Sequence, residues 1–169
     1  MKDKFVDLYM KLAQDVSQLS YARRLKVGTV IVKDNVVTYG YNGTPSGWDN
    51  NCEFHEYADK YEKYDVVSFD FPLNDSDPLS DDGYGRDTWY RLKTKPEVLH
   101  SEANALMKIA KSTINSEGAT LFCTHSPCID CAKMIYQAGI FTVYYRDEYK
   151  STDGIEFLKK SGVDVKQHE

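Results

Sequence analysis

Long hydrophobic runs are missing from this 169-residue chain, and no stretch approaches the roughly 20 apolar residues that span a bilayer. Cysteine is scarce, with four in the whole sequence, too few for a disulfide-built scaffold. Excess positive charge is absent as well. The net charge of −5 disfavours non-specific attachment to a nucleic-acid backbone and leaves small substrates open. The N-terminal stretch "MKDKFVDLYMKLAQDV" carries Asp3, Asp7 and Asp15 among its apolar residues, which is not the pattern of a secretory signal. A cytoplasmic, reducing setting is therefore expected, and it argues against a stable disulfide. No internal repeat or low-complexity tract interrupts the chain. What remains is an ordinary globular composition, 41% apolar and 28% charged, and the length suits one domain with a real core.

The periodicities outline that domain. Phe5, Leu8, Tyr9, Leu12, Val16 and Leu19 recur at helical spacing and predict an amphipathic helix over about 3–19. Two β-branched runs around Lys33-Asp34-Asn35 predict a hairpin, with strands near 27–33 and 36–41. The loop "NGTPSG" closes it. From Glu97 onward helices and strands alternate: "HSEANALMKIAK" helix, "ATLFCTH" strand, "CIDCAKMIYQAG" helix, "IFTVYY" strand, "DGIEFLKKSG" helix, "VDVK" strand. That alternation predicts an α/β layer fold with largely parallel pairing in the second half. Residues 52–98 resist the pattern. Their Asp-, Pro- and Gly-rich stretch "FDFPLNDSDPLSDDGYGRD" reads either as a binding loop or lid, or as a tolerated surface insertion.

The chemistry concentrates in two short motifs. In "THSPCIDCAKMI", Cys128 and Cys131 follow Pro127 and fall in the first turn of a predicted helix, where the dipole favours thiolate. A redox pair has the same local form, so two cysteines do not decide. In "LHSEANAL", His100 and Glu102 open the preceding helix, 28 residues upstream of Cys128. Strand–helix units place both helix starts at one sheet edge, so His100 can face the cysteines. Three protein ligands with an open fourth position describe a catalytic zinc site, and Glu102 then stands beside the open position as a proton carrier. A lone helix-start Glu or capping His has a plain structural reading. All four residues at these spacings are improbable by chance. Cys123 falls in a predicted buried strand and reads as core. Cys52 and His55 form "CEFH", yet no cysteine occurs near Ser20 to complete a second site, so a second zinc is not expected.

An H-x-E followed by P-C-x-x-C is the signature of zinc nucleobase deaminases. The chain resembles the cytidine deaminase-like superfamily over nearly its whole length. It is most similar to the deoxycytidylate deaminases, including phage-type ones, through "KVGTVIV", "GYNGTPSG", "HSEANA" and "SPCIDCAKMI". Ser101 replaces the Ala usual in the first motif. The resemblance implies a three-layer α/β/α fold with a mixed central sheet of about five strands, as a single domain over 1–169 with an insertion at about 52–98. It implies one catalytic Zn2+ on His100, Cys128 and Cys131, and Glu102 as catalytic acid–base. Implied substrate contacts are Asn42, Ser101, His125 and Tyr149, with Lys26 or Arg24 for a phosphate; solvated basic residues before a strand are the plain alternative for those two. It further implies a homohexamer in which dCTP activates and dTTP inhibits, with Mg2+ accompanying the triphosphate, at a site including Gly40, Tyr41, Asn42 and Gly43. A polynucleotide deaminase such as a tRNA adenosine deaminase shares the zinc motif, but the acidic charge and long insertion speak against it. A non-catalytic zinc module would need a fourth ligand and would leave Glu102 without a purpose. A riboflavin-pathway deaminase is weaker still, since nothing like its fused reductase follows.

Overall fold

A computed structural model describes residues 1–57, 71–72 and 89–168. Its elements are α1 (Asp3–Ser17), β1 (Gly28–Lys33), β2 (Val36–Tyr41), β3 (Glu53–Tyr57), β4 (Phe71–Pro72), β5 (Trp89–Thr94), α2 (Ser101–Ala110), β6 (Thr120–His125), α3 (Ile129–Gln137), β7 (Thr142–Asp147), α4 (Asp153–Lys160) and β8 (Asp164–Gln167). A five-stranded sheet runs in the order β2-β1-β6-β7-β8. The first three strands pair antiparallel, and β6, β7 and β8 pair parallel. The mixed sheet and its parallel half match the expectation.

Alternation along the central strands sorts the core into two layers. Val30, Val32 and Phe122 point to one face and pack with Val6, Met10, Ala13 and Val16 of α1. Ile31, Leu121, Cys123 and Val143 point to the other and pack with α2, α3 and α4 through Ala105, Leu106, Ile109, Ala132, Ile135 and Leu158. Phe122 anchors the α1 side, its ring stacked 5.1 Å from Tyr144 and tilted 5.3 Å from Tyr9. The β1–β2 turn places Asp34 and Asn35 at φ of 49° and 65°, the left-handed pair that suits a tight hairpin and that Asp and Asn tolerate.

Helix α1 turns a narrower stripe inward than its sequence announces. Val6, Met10, Ala13, Val16 and Ser17 are buried, Tyr9 and Leu12 are partly so, Phe5 and Leu8 are exposed, and Leu19, also exposed, lies in the turn after the helix ends at Ser17. Gly28 of β1 lets the helix lie close on the sheet at Ala13 and Ser17, since a Cβ on Gly28 would lie 2.1 Å from Ala13 O and 2.6 Å from Ser17 N.

Segment 52–98 holds a feature the sequence concealed. Its described residues form a second antiparallel sheet, β3-β5-β4, with Glu53 opposite Thr94 and Tyr57 opposite Tyr90. Apart from Phe71 and Pro72, the Asp-rich stretch, and with it the choice between lid and surface insertion, lies outside the described residues.

Candidate active site

Both catalytic-motif helices begin at the same edge of the large sheet. His100 is the N-cap of α2 and Cys128 the N-cap of α3, so the positive ends of two helix dipoles converge where thiolate and metal chemistry benefit. His100 Nδ1 stands 3.5 Å from Cys128 Sγ and 3.4 Å from Cys131 Sγ. All three donor atoms lie within 4.8 Å of one another, and this is the grouping with metal-ligand geometry among the described residues. Tetrahedral zinc, with Zn–S of about 2.3 Å and Zn–N of about 2.0–2.1 Å, separates such donors by roughly 3.5 Å, so the three residues fit it. Cys128 is held far down, to about 4, by hydrogen bonds from Cys131 and His100, whereas its donor Cys131 is pushed up. Cysteine binds metal as thiolate, so a cation taken up here displaces the thiol protons.

The turn carrying these cysteines is packed from behind by α4. A Cβ on Gly154 would lie 2.0 Å from Pro127 O and 2.9 Å from the Cys128 carbonyl. Nothing in the sequence flagged Gly154, because its reason is a contact between distant segments.

Glu102 is 4% exposed, and burial raises its carboxyl above the ordinary range. One oxygen, Oε2, accepts a hydrogen bond from Ser101 Oγ at 3.0 Å. Ser101 Oγ in turn lies 2.7 Å from Thr29 Oγ1, which reaches Cys123 Sγ at 3.2 Å. A carboxylate can only accept, so the chain of donors runs from Cys123 through Thr29 and Ser101 to Glu102. Cys123 suits the far end: burial pushes its thiol to about 12, so it stays protonated. The Ser101 hydroxyl thus supports Glu102 from behind. Thr29, inside the apolar run "VGTVIV", gave no sign of this in the sequence.

A cavity opens in front of Glu102. His100, Ser101, Cys128, Asn42, His125, Tyr149 and Arg24 line it, together with Glu53, Ser126 and Lys150, which sequence reasoning missed. Lys26 is exposed and lies outside that lining. Asn42 uses its amide oxygen to accept from Val27 N and its amide nitrogen to donate to Leu25 O, both at 2.8 Å, leaving one further amide N–H. His125 is 3.1 Å from Thr124 Oγ1 and 3.9 Å from Asp147, and burial lowers its pKa. The Tyr149 backbone N–H donates to Ser126 Oγ at 2.8 Å.

A second cavity borders the first. Tyr41, Asn42 and Gly43 line it with Tyr21, Trp48, Asn104 and Lys108, and Asn42 is common to both. Gly40 is not among the second cavity's lining residues; a Cβ there would lie 2.3 Å from Ser101 O and 2.5 Å from Ala105 N, so β2 needs glycine to lie against α2. Cys52 is buried, its thiol donating to Asn50 O at 3.7 Å.

A three-layer fold with a Cys2His metal group and a buried glutamate at the open side is the architecture of a hydrolytic deaminase. The profile described as "Cytidine and deoxycytidylate deaminase zinc-binding region" matches residues 3–147, and the chain belongs to that family. It is 32% identical to the deoxycytidylate deaminase of Enterobacteria phage T4 over 166 residues, covering 92% of this chain and 86% of that protein. The dCMP deaminase of cyanophage S-TIM5 in complex with dCMP and dUMP is 42% identical, with 99% of each chain covered and a TM-score of 0.75. Its apo form gives 40% and 0.72.

Proposed function

We propose that this chain is a zinc-dependent deoxycytidylate deaminase, hydrolysing dCMP to dUMP and ammonia and so supplying precursor for thymidylate synthesis. The observation that carries this reading is the buried Glu102, with one oxygen tied back, beside three ligand atoms spaced for zinc. The cyanophage relative in complex with dCMP and dUMP supports the choice of substrate.

His100 Nδ1, Cys128 Sγ and Cys131 Sγ would hold the metal and leave its fourth position toward the cavity. Zinc bound there supplies Lewis acidity and a water acidified to a pKa of roughly 7. Glu102 accepts the proton of the attacking water on the oxygen that Ser101 leaves free. It passes that proton to the ring nitrogen next to the attacked carbon. It then takes the second proton from the newly added hydroxyl and gives it to the amine, so that the carbonyl forms as ammonia leaves and both water protons are accounted for. A carboxyl whose affinity for protons is raised by burial suits both halves of that transfer. Arg24 and Lys150 at the cavity rim offer cations to a 5′-phosphate, and Asn42 offers its remaining N–H to the sugar or base.

Regulation belongs to the same reading. The second cavity, with Lys108 among its lining residues, would take dCTP or dTTP with Mg2+ in a homohexamer, and Asn42 gives it a direct contact with the substrate cavity. The test is ammonia release across cytidine, cytidylate, deoxycytidine, dCMP and dCTP, with and without each triphosphate plus Mg2+. The expected result is the highest kcat/KM with dCMP, raised by dCTP and lowered by dTTP. A higher kcat/KM with any of the other four than with dCMP would overturn the substrate assignment, and indifference to both triphosphates would overturn the regulation alone.

A further inference from the structure

Residues 18–27, between α1 and β1, contain no helix or strand, yet Arg24, Leu25 and Val27 form part of the catalytic cavity. Side-chain ties from elsewhere must therefore fix this connector. Ser20 Oγ donates to Asn42 O at 2.8 Å, and the Asn42 amide clamps Leu25 and Val27 at the other end. Between these ties, residues 23 and 24 are held by Glu53. Its carboxylate accepts from Arg23 N at 3.1 and 3.3 Å and from Arg24 N at 3.3 Å, with Arg23 Nε 3.7 Å away. The Glu53 side chain is 1% exposed, so these partners are what offset its desolvation. Two consecutive backbone N–H groups converging on one carboxylate form the same concavity that captures free anions. Here the anion is a side chain from the first residue of β3, so it sets where Arg24 sits.

We propose that Glu53 is the positioning residue for recognition of the nucleotide's 5′-phosphate, acting by holding the Arg23–Arg24 backbone so that the Arg24 guanidinium meets the phosphate at the cavity rim. This deepens the dCMP reading and rests on it. It also gives the 52–98 segment a task, since its first strand anchors the phosphate end of the substrate site. Losing the Glu53 charge frees two backbone N–H groups and lets Arg24 drift. A buried carboxylate that mattered for stability alone would weaken every ligand alike. One that positions Arg24 weakens phosphorylated ligands selectively.

The test compares dUMP and deoxyuridine as inhibitors of dCMP turnover in zinc-loaded protein, for the parent, Glu53→Gln, Glu53→Asp, Arg24→Gln and the Glu53→Gln/Arg24→Gln double variant. In Glu53→Gln the dUMP inhibition constant and the KM for dCMP should rise about tenfold, while that for deoxyuridine changes less than twofold. Glu53→Asp keeps the charge and should fall between, which supplies the comparison if the Gln variant fails to fold. On the Arg24→Gln background, adding Glu53→Gln should have no further effect. Equal weakening of dUMP and deoxyuridine, or full additivity with Arg24→Gln, overturns the inference. A parent that prefers dUMP while neither Glu53 variant alters that preference overturns the inference alone. A parent indifferent to the phosphate overturns it together with the dCMP assignment.

Discussion

Replacing Gly154 with alanine tests whether α4 helps to hold the metal-binding turn. Ordinary van der Waals contact begins near 3.4 Å, whereas the new Cβ would lie 2.0 Å from Pro127 O, so helix or turn must give by about 1.4 Å. The opposing atoms are backbone, which cannot rotate aside as a side-chain tip can. Overpacking of this kind costs about 1–3 kcal/mol. At about 2–4 °C per kcal/mol for a chain of this size, the melting temperature should fall by about 2 to 12 °C. The displaced element includes Cys128, whose sulfur must stay near its 3.5 Å spacing from His100. Supporting contacts around a metal site are worth about 10- to 100-fold in affinity, so zinc should bind more weakly by a factor in that range. Chelator competition measures the affinity, and melting with and without zinc measures the stability. Gly43→Ala is the steric control, because a Cβ there meets nothing within 4 Å. If Gly154→Ala matched the parent in both zinc affinity and melting temperature, the contact would carry no strain and the reasoning would be wrong.

Glu102→Gln should keep zinc and fold but lower kcat by about 10²- to 10⁴-fold, because it removes proton transfer and leaves the ligands in place; steady-state kinetics with metal analysis checks this. Phe122→Ala should destabilise the protein by about 3–5 kcal/mol in urea unfolding, since it empties the fully buried centre of the α1 layer. Outside the metal group, Cys52 and Cys123 are buried thiols with raised pKa values, so both should resist a thiol reagent at pH 8 in the folded protein. Their contribution to reactivity should appear as pH rises toward those raised values or on unfolding. Chelation should expose Cys128 to the reagent first, since its thiol is held down to about 4 and is half-buried while Cys131 is buried and pushed up, and counting modified residues in the mass spectrum checks this.

The parallel half of the sheet was readable because strands and helices of matching length alternate there, and because β6, buried on both faces, carries the near-continuous apolar run "LFC". The metal group was readable from spacing alone, since helix starts at one sheet edge leave little freedom to His100, Cys128 and Cys131. Other features had no local signal. Glu53 is buried where hydrophobic residues are expected and Phe54 is exposed, so β3 inverts the alternation by which strands are recognised. Gly154, Thr29 and Lys150 matter through partners far away in sequence. Lys26 and Arg24 look alike in the sequence, and only the path of the connector puts Arg24 in the cavity and leaves Lys26 outside. On α1, the apolar surface is wider than the stripe the sheet covers, so periodicity gave the helix but misplaced its inner face.

In the proposed mechanism one zinc, held by His100, Cys128 and Cys131, enables Glu102 to deaminate dCMP. Titrating metal-depleted protein with zinc, while following conversion of dCMP to dUMP, probes that dependence without an intermediary. The rate should rise linearly and break at one zinc per chain. Full activity in protein shown to lack zinc, or a break at two per chain with none at one, would contradict it.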